Sequence, residues 1–186
     1  MDPTVNGGEP SLAAEQRRTV LGMATALVTA ALAIVVAPRW WPHPLPDGAD
    51  PVTRLSFVIL CDVFVFVWVV AIVGRIASQR FLSAKDIAGS GLTVGGPTIR
   101  RTQAVLQNTL EQAAIAAPAH LALALLIPGH WLAILPVLVI LFGLGRFFFW
   151  LGYAGGAGSR TFGFGLTFYP TVAAYVWAVS AIVSRG

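Results

Sequence analysis

The chain has 186 residues, of which 56% are hydrophobic and only 11% are charged, and its mean hydropathy is +0.77. Soluble domains carry about 25% charged residues, so these values exclude an ordinary soluble domain and indicate an integral membrane protein. The net charge is +4, which we attribute to basic cytoplasmic loops rather than to nucleic-acid binding. The single cysteine, Cys61, excludes an intrachain disulfide, and no residues have the spacing of a metal site.

The apolar residues are grouped into segments that follow a polar amino-terminal stretch. Residues 1–18 are rich in polar residues, glycine and proline and are predicted to be a tail that is disordered at its start. Residues 19–186 are predicted to form a single membrane domain that is all-α, an integral membrane helical bundle. Five apolar segments, each close to the ~20 residues that span a bilayer, lie near 19–37, 55–77, 101–127, 131–152 and 164–184.

The first apolar segment follows Arg17 and Arg18, a pattern that also occurs in signal peptides. Its apolar run is as long as the ~20 residues of a full span, which favours an uncleaved helix. The outer loop after it, residues 38–53, contains Trp40 and Trp41 and is predicted to be an aromatic anchor at the membrane interface.

The basic residues predict the orientation of the chain. If the loops alternate across the membrane, eight basic residues lie on one side and three on the other. The positive-inside rule then places the amino terminus in the cytoplasm and the carboxyl terminus outside. We expect a multi-pass protein of a bacterial inner membrane. The eight are Arg17, Arg18, Arg75, Arg80, Lys85, Arg100, Arg101 and Arg160; the three are Arg39, Arg54 and Arg185.

Polar residues interrupt the third and fourth apolar segments near their predicted cytoplasmic ends. Asn108 and Glu111 lie on one helical face with Arg101, and Arg146 lies in the following segment. A carboxylate at this depth costs a few kcal/mol unless it is paired or protonated. We therefore predict an ion pair between Glu111 and Arg146.

Two interpretations of these polar residues stay open. They stabilise helix packing only, as a buried ion pair with amide hydrogen bonds, or they line a cationic pocket open to the cytoplasm. Such a pocket suits a small polyanion with amide groups, and its arginines would favour a thiolate over a thiol. The candidate pocket residues are Arg75, Arg101, Asn108, Glu111, Arg146, Tyr153 and Arg160.

Asp62 is a second polar feature, an acid in the middle of the second segment beside Cys61. The sequence assigns it no partner. It is either a hydrogen-bonded structural residue or the proton site of a small proton-coupled transporter. His120, two residues after Pro118, is interpreted as a helix-facing structural histidine.

The spacing of the polar residues resembles that of a known family. Asn-x-x-Glu in one span, Arg-x6-Tyr in the next and an arginine on the following loop are similar to the superfamily of membrane-associated proteins in eicosanoid and glutathione metabolism (MAPEG). The resemblance covers about residues 58–184. It implies subunits with a four-helix core that assemble into a homotrimer and bind glutathione between subunits near the cytoplasmic face. The segment near 19–37 is then an extra amino-terminal span.

The resemblance also implies roles for individual residues. Arg160 corresponds to the arginine that activates the thiol, and Ala104 stands where the family commonly has an arginine, for which Arg101 is a candidate substitute. The function implied is a glutathione-dependent transferase or peroxidase acting on lipophilic electrophiles. The alternative, favoured by Ala104, is a non-catalytic membrane scaffold or lipid-binding protein. The residues implied to bind glutathione are Arg75, Asn108, Glu111, Arg146 and Tyr153.

Overall fold

The computed structural model describes residues 11–40, 48–90 and 93–185. These residues form helices and turns without any strand, and the prediction of an all-α helical bundle is confirmed. Short 3-10 helices at Gly129–Ala133 and Tyr153–Gly155 precede and follow the fourth long helix. The long helices are α1 (Leu12–Trp40), α2 (Pro51–Phe81), α3 (Pro97–Leu126), α4 (Ile134–Gly152) and α5 (Ala157–Val183).

All five long helices are long and apolar enough to cross a membrane, so the chain is an integral, multi-pass membrane protein. Each predicted span overlaps one of them. Of the predicted aromatic anchor, Trp40 is the last residue of α1, whereas Trp41 lies outside the described residues, as do residues 1–10 of the predicted tail. Residues 12–18, also predicted as tail, instead form the first two turns of α1. Ser11 Oγ accepts a hydrogen bond from Ala14 N at 3.3 Å, the pattern of a serine N-cap, so the helix can begin before its apolar run.

α4 and α5 cross at glycines. A Cβ atom added to Gly145 would lie 2.6 Å from Thr167 Cγ2 and 2.8 Å from Gly163 O, so no larger side chain fits there without displacing α5. This close approach brings α5 side chains within reach of Arg146, the residue that follows Gly145 on α4. The crossing therefore determines which groups can contact that arginine.

α1 packs along α5 through small residues spaced four apart. Gly22, Ala26 and Ala30 recur on one face of α1, and both alanines are buried. Small residues at this spacing allow helix backbones to approach closely, as they do in other membrane bundles. A Cβ atom added to Gly22 would lie 3.2 Å from Phe162 N. The extra amino-terminal helix is thus packed tightly against the bundle.

A hydrogen bond from the start of α5 fixes the amino-terminal end of α1. α5 begins after Gly156, a position whose φ of 93° favours glycine. Glycine has no side chain, so Gly156 offers no capping acceptor. The carboxylate of Glu15 accepts a hydrogen bond from Gly158 N at 2.7 Å. Because the first N–H groups of a helix have no partner within it, Glu15 acts as a cap supplied by α1.

At the predicted outer end, buried charges have specific partners. Arg54, predicted as a loop residue, lies in α2 with 8% of its surface exposed. Its Nε donates to Ala124 O at 2.5 Å, and its Nη2 donates to Ile127 O, so it caps the carboxyl end of α3. Asp62 Oδ1 lies 2.6 Å from His120 Nδ1, and both residues are buried. The intramembrane acid therefore has a partner that the sequence did not assign.

At the opposite end, the loop between α2 and α3 is organised by Asp86. Its carboxylate accepts hydrogen bonds from Ser83 Oγ at 2.7 Å and from Gly96 N at 3.1 Å. The hydrogen bond from Ser83, with that from Gly96 and the nearby charges of Lys85 and Arg80, lowers the pKa of the Asp86 carboxyl below its usual value. These contacts fix the start of α3, the helix that carries Asn108.

Candidate functional site

A cavity of about 390 Å³ lies near the predicted cytoplasmic end of the bundle. This volume is within the range of ~300–1,000 Å³ found for small-molecule sites. Three of the predicted site residues, Asn108, Tyr153 and Arg160, line it. The remaining lining residues come from α1, α3, α4 and α5 and are mostly apolar: Thr19, Met23, Ala104, Phe149, Ala157, Thr161 and Phe164.

Arg146 lies directly behind this cavity and is 1% exposed. Its Nη1 donates to Asn108 Oδ1 at 2.8 Å, and its Nη2 donates to Thr167 Oγ1 at 2.5 Å. The guanidinium carbon lies 4.7 Å from the centroid of the Phe149 ring. Its Nε is buried without a hydrogen-bond partner. Within the part of the chain that the structure describes, the cation therefore contacts neutral groups only.

The contact with Arg146 determines how Asn108 is presented to the cavity. A guanidinium group has donors and no acceptor, so the amide oxygen of Asn108 must face Arg146. The amide N–H groups are then left to donate toward a ligand. Asn108 thus links the buried charge to the cavity that it lines.

Tyr153 and Arg160 form the polar part of the cavity wall. Tyr153 lies in the short 3-10 helix after α4, and Arg160 lies in the first turns of α5. The guanidinium carbon of Arg160 lies 4.5 Å from the centroid of the Tyr153 ring, a cation–π contact that holds the charge at the cavity. A cation near the amino terminus of a helix makes the local field favourable for an anion.

The predicted ion pair between Glu111 and Arg146 is wrong. Glu111 is exposed on the single chain, and its Oε1 accepts a hydrogen bond from Gln107 Nε2 at 2.9 Å. Three helical residues correspond to a rotation of about 300°, so Glu111 points about 60° away from Asn108. Asn108 and Thr167 reach the guanidinium of Arg146 instead.

Two predicted basic residues lie outside the cavity of the single chain. Arg75 on α2 and Arg101 in the first turns of α3 are both exposed, and neither lines the cavity. The structure therefore brings Asn108, Arg146 and Arg160 together but leaves these two arginines on the chain surface. Their part in binding stays a prediction.

The contribution of α1 to the cavity was not predicted from the sequence. Thr19 and Met23 line it, although the first span was given no part in the site. The spacing of Gly22, Ala26 and Ala30 is the signal that predicts close packing of α1, and residues on that face must point toward the bundle. Thr167 was missed because its contact with Arg146 depends on the glycine crossing between α4 and α5.

Comparison with known proteins places the chain in a family. Transmembrane protein 79 from Mus musculus is 45% identical over 51 residues, which are 27% of this chain and 13% of that protein. Transmembrane protein 79 from Bos taurus is 41% identical over the same shares. The chain thus spans about an eighth of the length of these relatives, and no solved structure matches it. The model of the MAPEG family matches residues 55–180, which include α3, α4 and most of α2 and α5 but no residue of α1. This chain belongs to the MAPEG family.

Proposed function

We propose that the protein binds glutathione in the cavity and joins it through its sulfur to a lipophilic electrophile, or uses it to reduce such an electrophile. The observation that carries the proposal is the environment of Arg146: a cation that is 1% exposed, bonded to Asn108 and Thr167 but to no described carboxylate. A buried charge without a counter-charge is costly, so an anionic ligand in the adjacent cavity would lower the free energy of the liganded protein.

The cavity combines features that glutathione requires. Glutathione carries two carboxylates, amide groups and a thiol. The amide N–H groups of Asn108 and the positive field of Arg146 and Arg160 suit the carboxylates, while Phe149 and Phe164 offer apolar surface for the second substrate. Arg160, at the start of α5, is the residue that we assign to stabilising the thiolate.

The chemistry follows from the charge of Arg160. Free cysteine has a pKa near ~8.5, so only a small fraction of a thiol is ionised at neutral pH. A neighbouring cation favours the thiolate, and each unit of pKa depression corresponds to ~1.4 kcal/mol. The thiolate sulfur then attacks an electrophilic carbon, the new carbon–sulfur bond forms, and the leaving group departs with the electron pair.

Calorimetry with glutathione tests binding. The wild-type protein should bind at millimolar concentration or below, and Arg146→Ala should weaken that binding by about tenfold or more, because it removes the positive charge behind the cavity and releases the Asn108 amide that this charge orients. Arg100→Ala is the matched control, because Arg100 is exposed and does not line the cavity. Absence of binding to the wild-type protein would contradict the proposal.

Turnover of a dinitrohalobenzene tests the role of Arg160. Arg160→Ala should lower the rate at pH 7 and leave glutathione affinity nearly unchanged, and a higher pH should restore part of the rate because solvent then ionises the thiol. Full turnover of this variant at pH 7 would remove Arg160 from the chemistry and leave the binding proposal intact.

We also propose that the functional unit is a homotrimer. Glu111 and Arg75 are exposed on helices of the single chain, and a charge facing lipid is unfavourable by several kcal/mol. A neighbouring subunit that covers α2 and α3 would remove these charges from lipid and could complete the site with Arg75 and Arg101. Native mass spectrometry should give a trimer, and Glu111→Leu should not increase its stability if Glu111 is paired across the interface.

Ala104 supports a second candidate function. It lines the cavity with a methyl group, at the position where resemblance to the family leads one to expect an arginine. A cavity with less positive charge suits a non-catalytic protein that binds a lipophilic ligand. Ala104→Arg separates the two candidates: it should increase glutathione affinity in a weak enzyme and weaken lipid binding in a scaffold.

A further inference from the structure

We infer that α1 is the wall of the cavity that selects its lipophilic ligand, and that Met23 sets the size of the ligand that fits. The inference rests on the proposed function in one respect, that the cavity receives a small molecule. The family match begins at residue 55, so α1 lies outside the part of the chain that defines the family. Substrate selection by α1 would therefore be a property of this chain.

α1 has a fixed position relative to the cavity. Glu15 accepts the hydrogen bond from Gly158 N at 2.7 Å, at the end of α1 nearest the cavity. About two turns further along, a Cβ atom added to Gly22 would lie 3.2 Å from Thr161 Cβ. A Cβ atom added to Gly165 would lie 2.5 Å from Ala26 Cβ. The carboxylate and the close contacts hold α1 in one register against α5.

This register of α1 against α5 directs two side chains into the cavity. Thr19 and Met23 are one helical turn apart on the face that also carries Glu15 and Ala26, and both line the cavity. They face a wall to which α3 contributes Ala104. Without α1, this side of the cavity would be open to the bilayer.

The cavity has chemically distinct parts. The cavity is polar where Asn108 and Arg160 lie and apolar where Met23 and Phe164 lie. Met23 lines the cavity and is 40% exposed on the single chain, so we place it at the mouth of the cavity. A thioether side chain is apolar and unbranched, so Met23 narrows this side of the cavity without adding a polar group. The ligand selected here is an apolar molecule that passes Met23 with its reactive end toward Arg160.

Cysteine labelling tests this wall without any need for turnover. In a Cys61→Ala background, Ala104→Cys places a thiol in the cavity, and its rate of reaction is measured with a small and a bulky methanethiosulfonate in lipid nanodiscs. The ratio of the two rates cancels changes in the reactivity of the thiol. Met23→Trp should lower the bulky-to-small ratio by about tenfold, and Met23→Ala should raise it, because the side chain controls the barrier to entry.

The matched controls are Leu27→Trp and Leu27→Ala, because Leu27 is exposed on the same helix and does not line the cavity. They should leave the ratio unchanged. Equal ratios for the Met23 and Leu27 variants would overturn the inference. If Met23→Trp fails to fold, Met23→Ala still tests it in the opposite direction.

Calorimetry on the same variants separates this inference from the proposed function. If the bulky-to-small labelling ratio depends on Met23 but the protein binds no glutathione, the inference about α1 stands and glutathione is not the ligand. Glutathione binding with a ratio independent of Met23 would keep the proposed function and remove α1 as the selecting wall.

Discussion

Buried polar and charged side chains have different kinds of partner at the two ends of the bundle. At the predicted outer end, Asp62 is paired with His120 at 2.6 Å, and Arg54 donates to carbonyl groups at the end of α3. At the predicted cytoplasmic end, Arg146 donates only to the neutral groups of Asn108 and Thr167 and keeps one nitrogen without a partner. Asp62 is thus paired with an ionisable side chain, and Arg54 with carbonyls at the negative end of the α3 helix dipole. Among the described residues, Arg146 has neither kind of partner.

This difference distinguishes a structural polar contact from a ligand site. A compensated pair stabilises one packing arrangement and gives a ligand little to gain. A buried cation without a counter-charge attracts an anion that binds in the neighbouring cavity, and this attraction favours binding. The position of the polar residues in the sequence could not separate the two cases, because all of them interrupt apolar segments in the same way.

The largest loss of unfolding free energy is expected when the pair of Asp62 and His120 is broken. His120→Leu leaves the Asp62 carboxylate buried alone, which should cost about 3–5 kcal/mol of unfolding free energy. Asp62→Leu should also lower the unfolding free energy, because it leaves Nδ1 of His120 buried without its hydrogen-bond partner. The double variant should recover part of the loss. Reversible unfolding in detergent measures all four proteins, and additive losses would show that the two residues are not coupled.

A smaller and different effect is expected at Arg146. Arg146→Met removes hydrogen bonds that are worth about 1–2 kcal/mol in membrane helices, and it also removes an unfavourable buried charge. The unliganded variant should therefore lose less stability than His120→Leu. Glutathione at about 100 times its dissociation constant should stabilise the wild-type protein by ~2.7 kcal/mol, and a variant that binds tenfold more weakly should keep only ~1.4 kcal/mol of this shift at the same concentration, or less. A large loss of unliganded stability would place Arg146 with the structural contacts.

The sequence predicted the spans because each is about as long as a bilayer is thick, and it predicted Asn108, Tyr153 and Arg160 because their spacing matches the family. It could not predict the partner of Arg146. Asn108 and Glu111 differ by only about 60° around α3, and the choice between them depends on how α3 meets α4. The contact of Glu15 with Gly158 joins residues 143 positions apart, a separation at which no local pattern is informative.

A smaller loss of stability is expected when the contact of Glu15 with Gly158, at the predicted cytoplasmic end, is weakened. Glu15→Gln keeps the hydrogen-bonding oxygen and removes the charge at the start of α5, so about 0.3–1 kcal/mol should be lost. Hydrogen exchange of the first turn of α5 should become faster by a corresponding factor of roughly two to five. Gln16→Ala is the control, because Gln16 is the exposed neighbour of Glu15 on the same helix. Equal exchange in both variants would mean that the carboxylate does not hold α1 against α5.

The smallest effect is expected at Asp86, which is accessible to solvent and outside the spans. Its pKa is lowered, chiefly by the hydrogen bond from Ser83, so the folded protein binds its proton less readily than the unfolded chain does. The stabilisation is therefore complete above pH ~4, near the unfolded value, and is lost as pH falls through the folded pKa. Hydrogen exchange at Gly96 N, which donates to Asp86, should be slower in the wild-type protein than in Asp86→Ala at pH 7, and the two should converge at lower pH. A ratio that stayed constant to pH 2 would show that the carboxylate charge does not order the loop that fixes α3.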